Sequence, residues 1–129
     1  MAGSTGANIF DMTYKAYGDM RSNQFYCVEV QAAGVVQICS AVTAVACGII
    51  QDNPNSGDTC TVRHEGKSKY KLNGSVTAGA RIGAAANGAL ASKTEGTNTT
   101  HYVIAQDVNG GSSGDIGVCL VRGTPVRAA

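Results

Sequence analysis

The groups in this chain with chemistry available near neutral pH are five cysteines, Cys27, Cys39, Cys47, Cys60 and Cys119, and two histidines, His64 and His101. A structural zinc site needs paired ligands at short spacing, because one turn must present two donors to the same ion. No C-x-x-C occurs, and neither histidine stands at a finger-like distance from a Cys pair. No metal is therefore expected. A Cys–His nucleophile pair can be assembled from distant positions, but no local signature marks one. His64 falls on the apolar parity of an alternating segment and His101 at the start of another. Both places suit a satisfied or exposed imidazole better than a general base. The expectation is a protein that is not an enzyme, with no catalytic residue and no cofactor. The odd cysteine count leaves at least one thiol unpaired within the chain. Two readings stay open: small buried residues in strands, or one disulfide among Cys39, Cys47 and Cys60, formed after release into an oxidising medium.

Arg63, Lys67, Lys69, Lys71 and Arg81 make the one basic cluster, with His64 and Tyr70 among them. A basic strand with an aromatic platform holds single-stranded nucleic acid. Alternation, however, places Tyr70 opposite the lysines, and a row of lysines also guards a strand against edge pairing. No direct nucleic-acid contact is expected. Gly110-Gly111-Ser112-Ser113-Gly114 is Gly-rich but lacks the Lys-Ser/Thr and the following helix of a phosphate loop. With a net charge of +1, a general attraction to nucleic acid or acidic membranes is absent. No apolar run reaches the roughly 18 residues of a membrane span, and the start has no signal-peptide pattern.

The elements that must carry these groups read as β. Phe25–Gln31, Val35–Cys39 and Val42–Ile50 are rich in strand formers. Thr59–His64 alternates, Gly66 breaks the run, and Lys67–Leu72 alternates again with Tyr70 and Leu72 inward and three lysines outward. Asn87-Gly88 is a hairpin signal between Arg81–Ala84 and Ala89–Lys93. Tyr102–Val108 and Ile116–Arg122 complete the set. Only the Ala-rich stretch 84–91 has helical composition, and Asn87-Gly88 cuts it. The fold class is all-β, a small β-barrel or β-sandwich of short antiparallel strands.

Residues 1–24 differ in composition. A Gly/Ser/Thr-rich start precedes Phe10, Tyr14 and Tyr17, spaced to line one helical face, although Gly18 argues against a helix. The division is an extended N-terminal arm over 1–24 and a barrel domain over 25–129. Whether the arm seeks a partner surface or straps its own barrel is open. The chain also echoes itself. Gln51-Asp52 leads to Ser56-Gly57-Asp58 with a glycine, Gly66, eight residues on; Gln106-Asp107 leads to Ser113-Gly114-Asp115 and, at the same distance, Gly123. Two similar hairpins are expected, each with an Asp side chain accepting a local backbone N–H.

The order of Gly48-Ile49-Ile50, Gly57-Asp58, the Thr59–His64 strand, Val76-Thr77-Ala78-Gly79, Asn87-Gly88, Val103-Ile104-Ala105 and the final Ile116–Val121 strand resembles the capsid cement (head decoration) proteins of tailed bacteriophages. The resemblance covers roughly residues 35–122. It implies a structural protein on the outer surface of the virion capsid, often a homotrimer, bound where subunits of the major capsid protein meet. Phe10, Tyr14, Tyr17 and Phe25 are then the candidate capsid contacts. The other reading is a small barrel binding nucleic acid or carbohydrate, in a tail or fibre assembly.

Overall fold

The computed structural model describes residues 9–128. The described residues form nine strands: β1 (Phe10–Ala16), β2 (Cys27–Ala32), β3 (Val35–Ile38), β4 (Gly48–Ile50), β5 (Thr59–Lys71), β6 (Arg81–Ala84), β7 (Leu90–Ser92), β8 (Tyr102–Asp107) and β9 (Ile116–Arg127). There is no helix among the described residues, so the fold is all-β as expected. The sheet order is β1-β3-β2-β4-β5-β9-β8-β6-β7, and β1 also pairs with β5. That second pairing closes β1, β3, β2, β4 and β5 into a barrel, which leaves none of its strands with a free edge.

The same connectivity occurs twice. In β2–β5, β2 pairs antiparallel with β3 and with β4, and β4 with β5. In β6–β9, β6 pairs antiparallel with β7 and with β8, and β8 with β9. The two units meet along β5 and β9, which run antiparallel from Gly66↔Val121 to Lys71↔Ile116. The phrase repeated in the sequence sits in the equivalent hairpins, β4–β5 and β8–β9. Asn55 N donates to Asp58 Oδ2 at 3.1 Å, and Ser112 N to Asp115 Oδ2 at 3.0 Å. Gly57 and Gly114, each just before its Asp, have φ of 87° and 88°. A short carboxylate accepting from the backbone three residues back fixes each turn.

Each unit has its own apolar centre. Ala16, Met20, Val28, Val36, Ile50, Cys60 and Val62 fill the closed barrel. The larger centre gathers Tyr70, Leu72, Ile82, Leu90, Ile104 and Cys119, and also takes Cys27, Cys39 and Ile49 from the far side of the first unit. β5 serves both. The expected break at Gly66 is instead a bend with φ of 108° inside one thirteen-residue strand. Cys60 and Val62 point into one centre, Tyr70 and Leu72 into the other. The residue opposite Tyr70 is Gly117, where a Cβ would lie 2.9 Å from the ring. The phenol donates to Asp107 Oδ1 at 2.5 Å, and the second carboxyl oxygen accepts from Gly110 N.

The strand readings survive with shifted ends. Val42–Ile50 is a strand only over Gly48–Ile50, the residues before it forming a turn, and the last strand runs on to Arg127. The larger difference concerns the arm. Phe10–Ala16 is a barrel strand, parallel to β3 at Lys15↔Val35 and antiparallel to β5 from Phe10↔Glu65 to Lys15↔Thr59. Of the two open readings, this part of the segment follows the strap. Its weak helical spacing loses to the ladder hydrogen bonds offered by β3 and β5, whose backbone groups would otherwise be unpaired. The Gly/Ser/Thr-rich start falls outside the described residues.

Replacing Tyr70 with Phe removes a donor from a buried carboxyl group. The expected loss is about 1–3 kcal/mol of unfolding free energy, measured by denaturant titration.

Candidate functional site

Phe10, Tyr14, Tyr17 and Phe25 do not form one patch. Phe10 and Tyr14 lie on β1 and flank His64 of β5, with ring centroids 5.8 and 5.6 Å from the imidazole. The Tyr14 hydroxyl and His64 Nε2 are 2.8 Å apart. Tyr14 is half-buried against the smaller centre, so it helps hold β1 in place. Phe10, 54% exposed, and Tyr17, 58% exposed just past the strand, present freer aromatic surface. Phe25 is different again. It precedes β2, packs partly on the larger centre, and is the only non-glycine residue with positive φ among those described, at 71°.

Burial holds the His64 pKa below the ordinary 6.5, against an opposing pull from a Cys47 backbone hydrogen bond and from Asp11. Asp11 itself pairs with Arg63 at 2.8 Å, and that contact keeps its carboxyl below the usual 3.8. His101 Nδ1 accepts from the Lys93 ammonium, the two nitrogens being 2.9 Å apart. Lys93 is 6% exposed and also donates to Val42 O at 3.4 Å. Burial lowers its pKa, and desolvation followed by the Lys93 charge lowers that of His101. The pairing was not legible in the sequence. A lysine closing a short apolar strand reads as solvated, and nothing local announces the imidazole that receives it.

All five cysteines are free thiols. Cys39 and Cys60, two of the three disulfide candidates, belong to different apolar centres, and Cys47 packs against the smaller one with Cys60. Cys39 instead faces Cys27: its N–H donates to Cys27 O at 3.1 Å, one step beyond the Val28↔Ile38 pair. The hydrogen bond with the Cys27 thiol, followed by burial, pushes the Cys39 thiol far up. Burial raises Cys47 and Cys119 to about 12 and Cys60 to about 11. Thiols held this high are poor nucleophiles, because the reactive form is the thiolate.

The basic residues gather on one side of the sheet. Lys67, Lys69 and Lys71 alternate outward on β5, exposed or half-buried, while Tyr70 and Leu72 are buried, as the alternation predicts. Lys69 Nζ lies 5.8 Å from the centroid of Phe25. Beside them, an open groove of about 580 Å³ is lined by Ile9, Phe25, Gln51, Lys69 and Val118 among others. The arrangement offers contact surface with a cationic border. Among the described residues no group of three His, Cys, Asp or Glu side chains is placed to hold a metal.

No protein-family model and no curated protein matches the sequence. Among solved structures the chain is similar to the head fiber gp8.5 N base of bacteriophage phi29. The TM-score is 0.66 over 92% of this chain and 98% of that one, at 11% sequence identity. The two share a fold.

Two outcomes follow from the titrating groups. Between the lowered pKa of His64 and 6.5 the unfolded chain binds a proton that the folded one refuses, so stability falls as pH drops below about 6.5. Thermal midpoints measured from pH 7.5 to 5 are expected to decline, and His64→Gln to remove part of that decline. The remainder, of the same sign, belongs to His101. Alkylation with iodoacetamide followed by mass measurement is expected to show slow labelling of the native protein and five modified thiols after unfolding.

Proposed function

We propose that this chain is a structural component of a tailed-phage virion that attaches to the outside of the head and reinforces it where subunits of the major capsid protein meet. The observation that carries the reading is a fold shared with a phage head fiber base across nearly the whole of both chains. The resemblance of the turn and strand order over residues 35–122 to capsid cement proteins supports the same setting from the sequence side, and supplies the trimer as the expected assembly. The chemistry of the chain agrees with a role in contact rather than catalysis. The thiols of Cys39, Cys47, Cys60 and Cys119 are raised, its histidines are spent on Tyr14 and Lys93, and its exposed aromatics Phe10 and Tyr17 are free to meet a neighbour. Many modest contacts repeated over a shell give firm attachment without any one being strong.

A cement and the base of an appendage differ in number. Quantitative mass spectrometry of purified particles from the source of the sequence is expected to find this chain at a copy number of the same order as the major capsid protein. A handful of copies per particle would replace the cement reading with a fiber-base reading, and absence from particles would overturn the virion role.

A further inference from the structure

The outer face of the β5–β9 seam has a composition that the fold does not require. A sheet with one face on a core normally turns polar residues to water. On β9 the outward positions are Ile116, Val118 and Leu120, with Ile116 50% and Leu120 51% exposed. They extend roughly 13 Å along the strand. Val108, also exposed and the first residue past β8, widens the strip, its N–H donating to Val118 O at 2.9 Å. Directly opposite on β5 stand Lys71, Lys69 and Lys67, paired with Ile116, Val118 and Leu120 in turn. Side chains directly opposite in an antiparallel pair lie on the same face. An apolar strip therefore runs beside a strip of three positive charges. None of the three lysines has an ion-pair partner among the described residues.

Phe25 borders the same face, lining one groove with Lys69 and Val118 and another with Lys71 and Ile116. Its φ of 71° is a conformation that a bulky side chain adopts only where surrounding contacts impose it. Here they do: Phe25 N donates to Ile50 O, and Phe25 O accepts from Lys71 N. A strained residue holding an aromatic ring at the rim of an apolar, cationic strip is placed for contact.

We propose that this face, formed by Phe25, Ile116, Val118 and Leu120 and bordered by Lys67, Lys69 and Lys71, docks onto a protein surface whose own apolar strip is flanked by carboxylates. The assignment of that surface to the head shell rests on the virion reading above. A second copy of the chain fits less well. Eight of its nine carboxylates are already engaged: Asp11, Asp19 and Glu95 in ion pairs, Asp58 and Asp115 in turns, Glu29 and Asp52 by Gln37 and Thr61 N, and Asp107 inside, which leaves Glu65 alone without a partner among the described residues. A symmetric contact would set the lysines either against lysines or against the apolar strip, and both arrangements leave their charges without carboxylates, which costs binding energy.

The test compares wild type with Lys67→Glu/Lys69→Glu/Lys71→Glu and with Ile116→Ser/Leu120→Ser, scored by copies retained on purified particles. All five side chains point outward, and unchanged thermal midpoints confirm folding. Each variant is expected to lose about tenfold or more in retention, while Arg81→Glu, on β6, keeps wild-type levels. Normal retention of both variants with wild type present on particles overturns the surface and leaves the virion role standing. Absence of wild type from particles overturns the virion role, and the assignment to the shell with it. Wild-type binding to an oligothymidine that falls steeply with salt and is lost in the lysine variant, with retention on heads unchanged, overturns the protein partner in favour of nucleic acid. A changed oligomeric state in either variant, with retention unchanged, overturns it in favour of self-association.

Discussion

One strand, β5, has to line two separate apolar centres, and the rest of the fold depends on how it does so. At Gly66 the backbone takes a φ of 108°, a conformation that costs a residue with a Cβ but not glycine. On either side of the bend the alternation keeps its parity, so Cys60 and Val62 enter one centre and Tyr70 and Leu72 the other. The same parity sends Lys67, Lys69 and Lys71 outward. β9 then pairs with the second half of β5, and β1 with the first. Without the bend, one sheet would cover one centre, and the other would open to water.

Splitting the interior in two suits a chain with few large apolar residues. A small domain buries only part of its unfolded surface, and a single wide core would need more bulk than three leucines, two phenylalanines and no tryptophan supply. Alanines and thiols fill much of the space instead: Ala84, Ala105, Cys27, Cys39 and Cys119 all lie in the larger centre. Tyr70 is its bulkiest fully buried member, accommodated because Gly117 opposite it has no side chain. Its hydroxyl cannot be buried unpaired, and Asp107 meets it. The cysteines are thus accounted for by packing, and the raised pKa values of Cys47, Cys60 and Cys119 follow from burial.

The pseudo-symmetric pairing of β2–β5 with β6–β9 also decides what the molecule presents to others. Each unit buries one face of its strands, and the two meet along β5 and β9. The outer side of that seam is the widest continuous stretch of regular sheet, six paired positions long. It is where apolar residues and lysines stand in matched rows. The N-terminal strand is drawn into the closed barrel, which leaves Phe10 and Tyr17 exposed but makes Tyr14 part of the fold. A surface built on regular, paired strands holds its side chains in fixed positions, which lowers the entropy lost on docking.

Much of this was legible in the residues. Alternation located the inward Tyr70 and Leu72 and the outward lysines; Asn87-Gly88 located the β6–β7 hairpin; the repeated Gln-Asp and Gly-Asp phrases located two equivalent turns. These signals are local, since side-chain parity and turn chemistry are set by neighbours along the chain. What the sequence could not supply is which edges meet. β1 became a barrel strand because β3 and β5 left edges far along the chain, from Lys15↔Val35 to Phe10↔Glu65. Lys93 found His101, and Cys39 faced Cys27 rather than Cys60, through pairings made after the strands formed. The row of Ile116, Val118 and Leu120 is visible in the sequence, but its position opposite the lysines is a matter of register. Register is fixed by the packing of the inner face, where a slip of β9 by one residue against β5 would turn Cys119 and Val121 out to water.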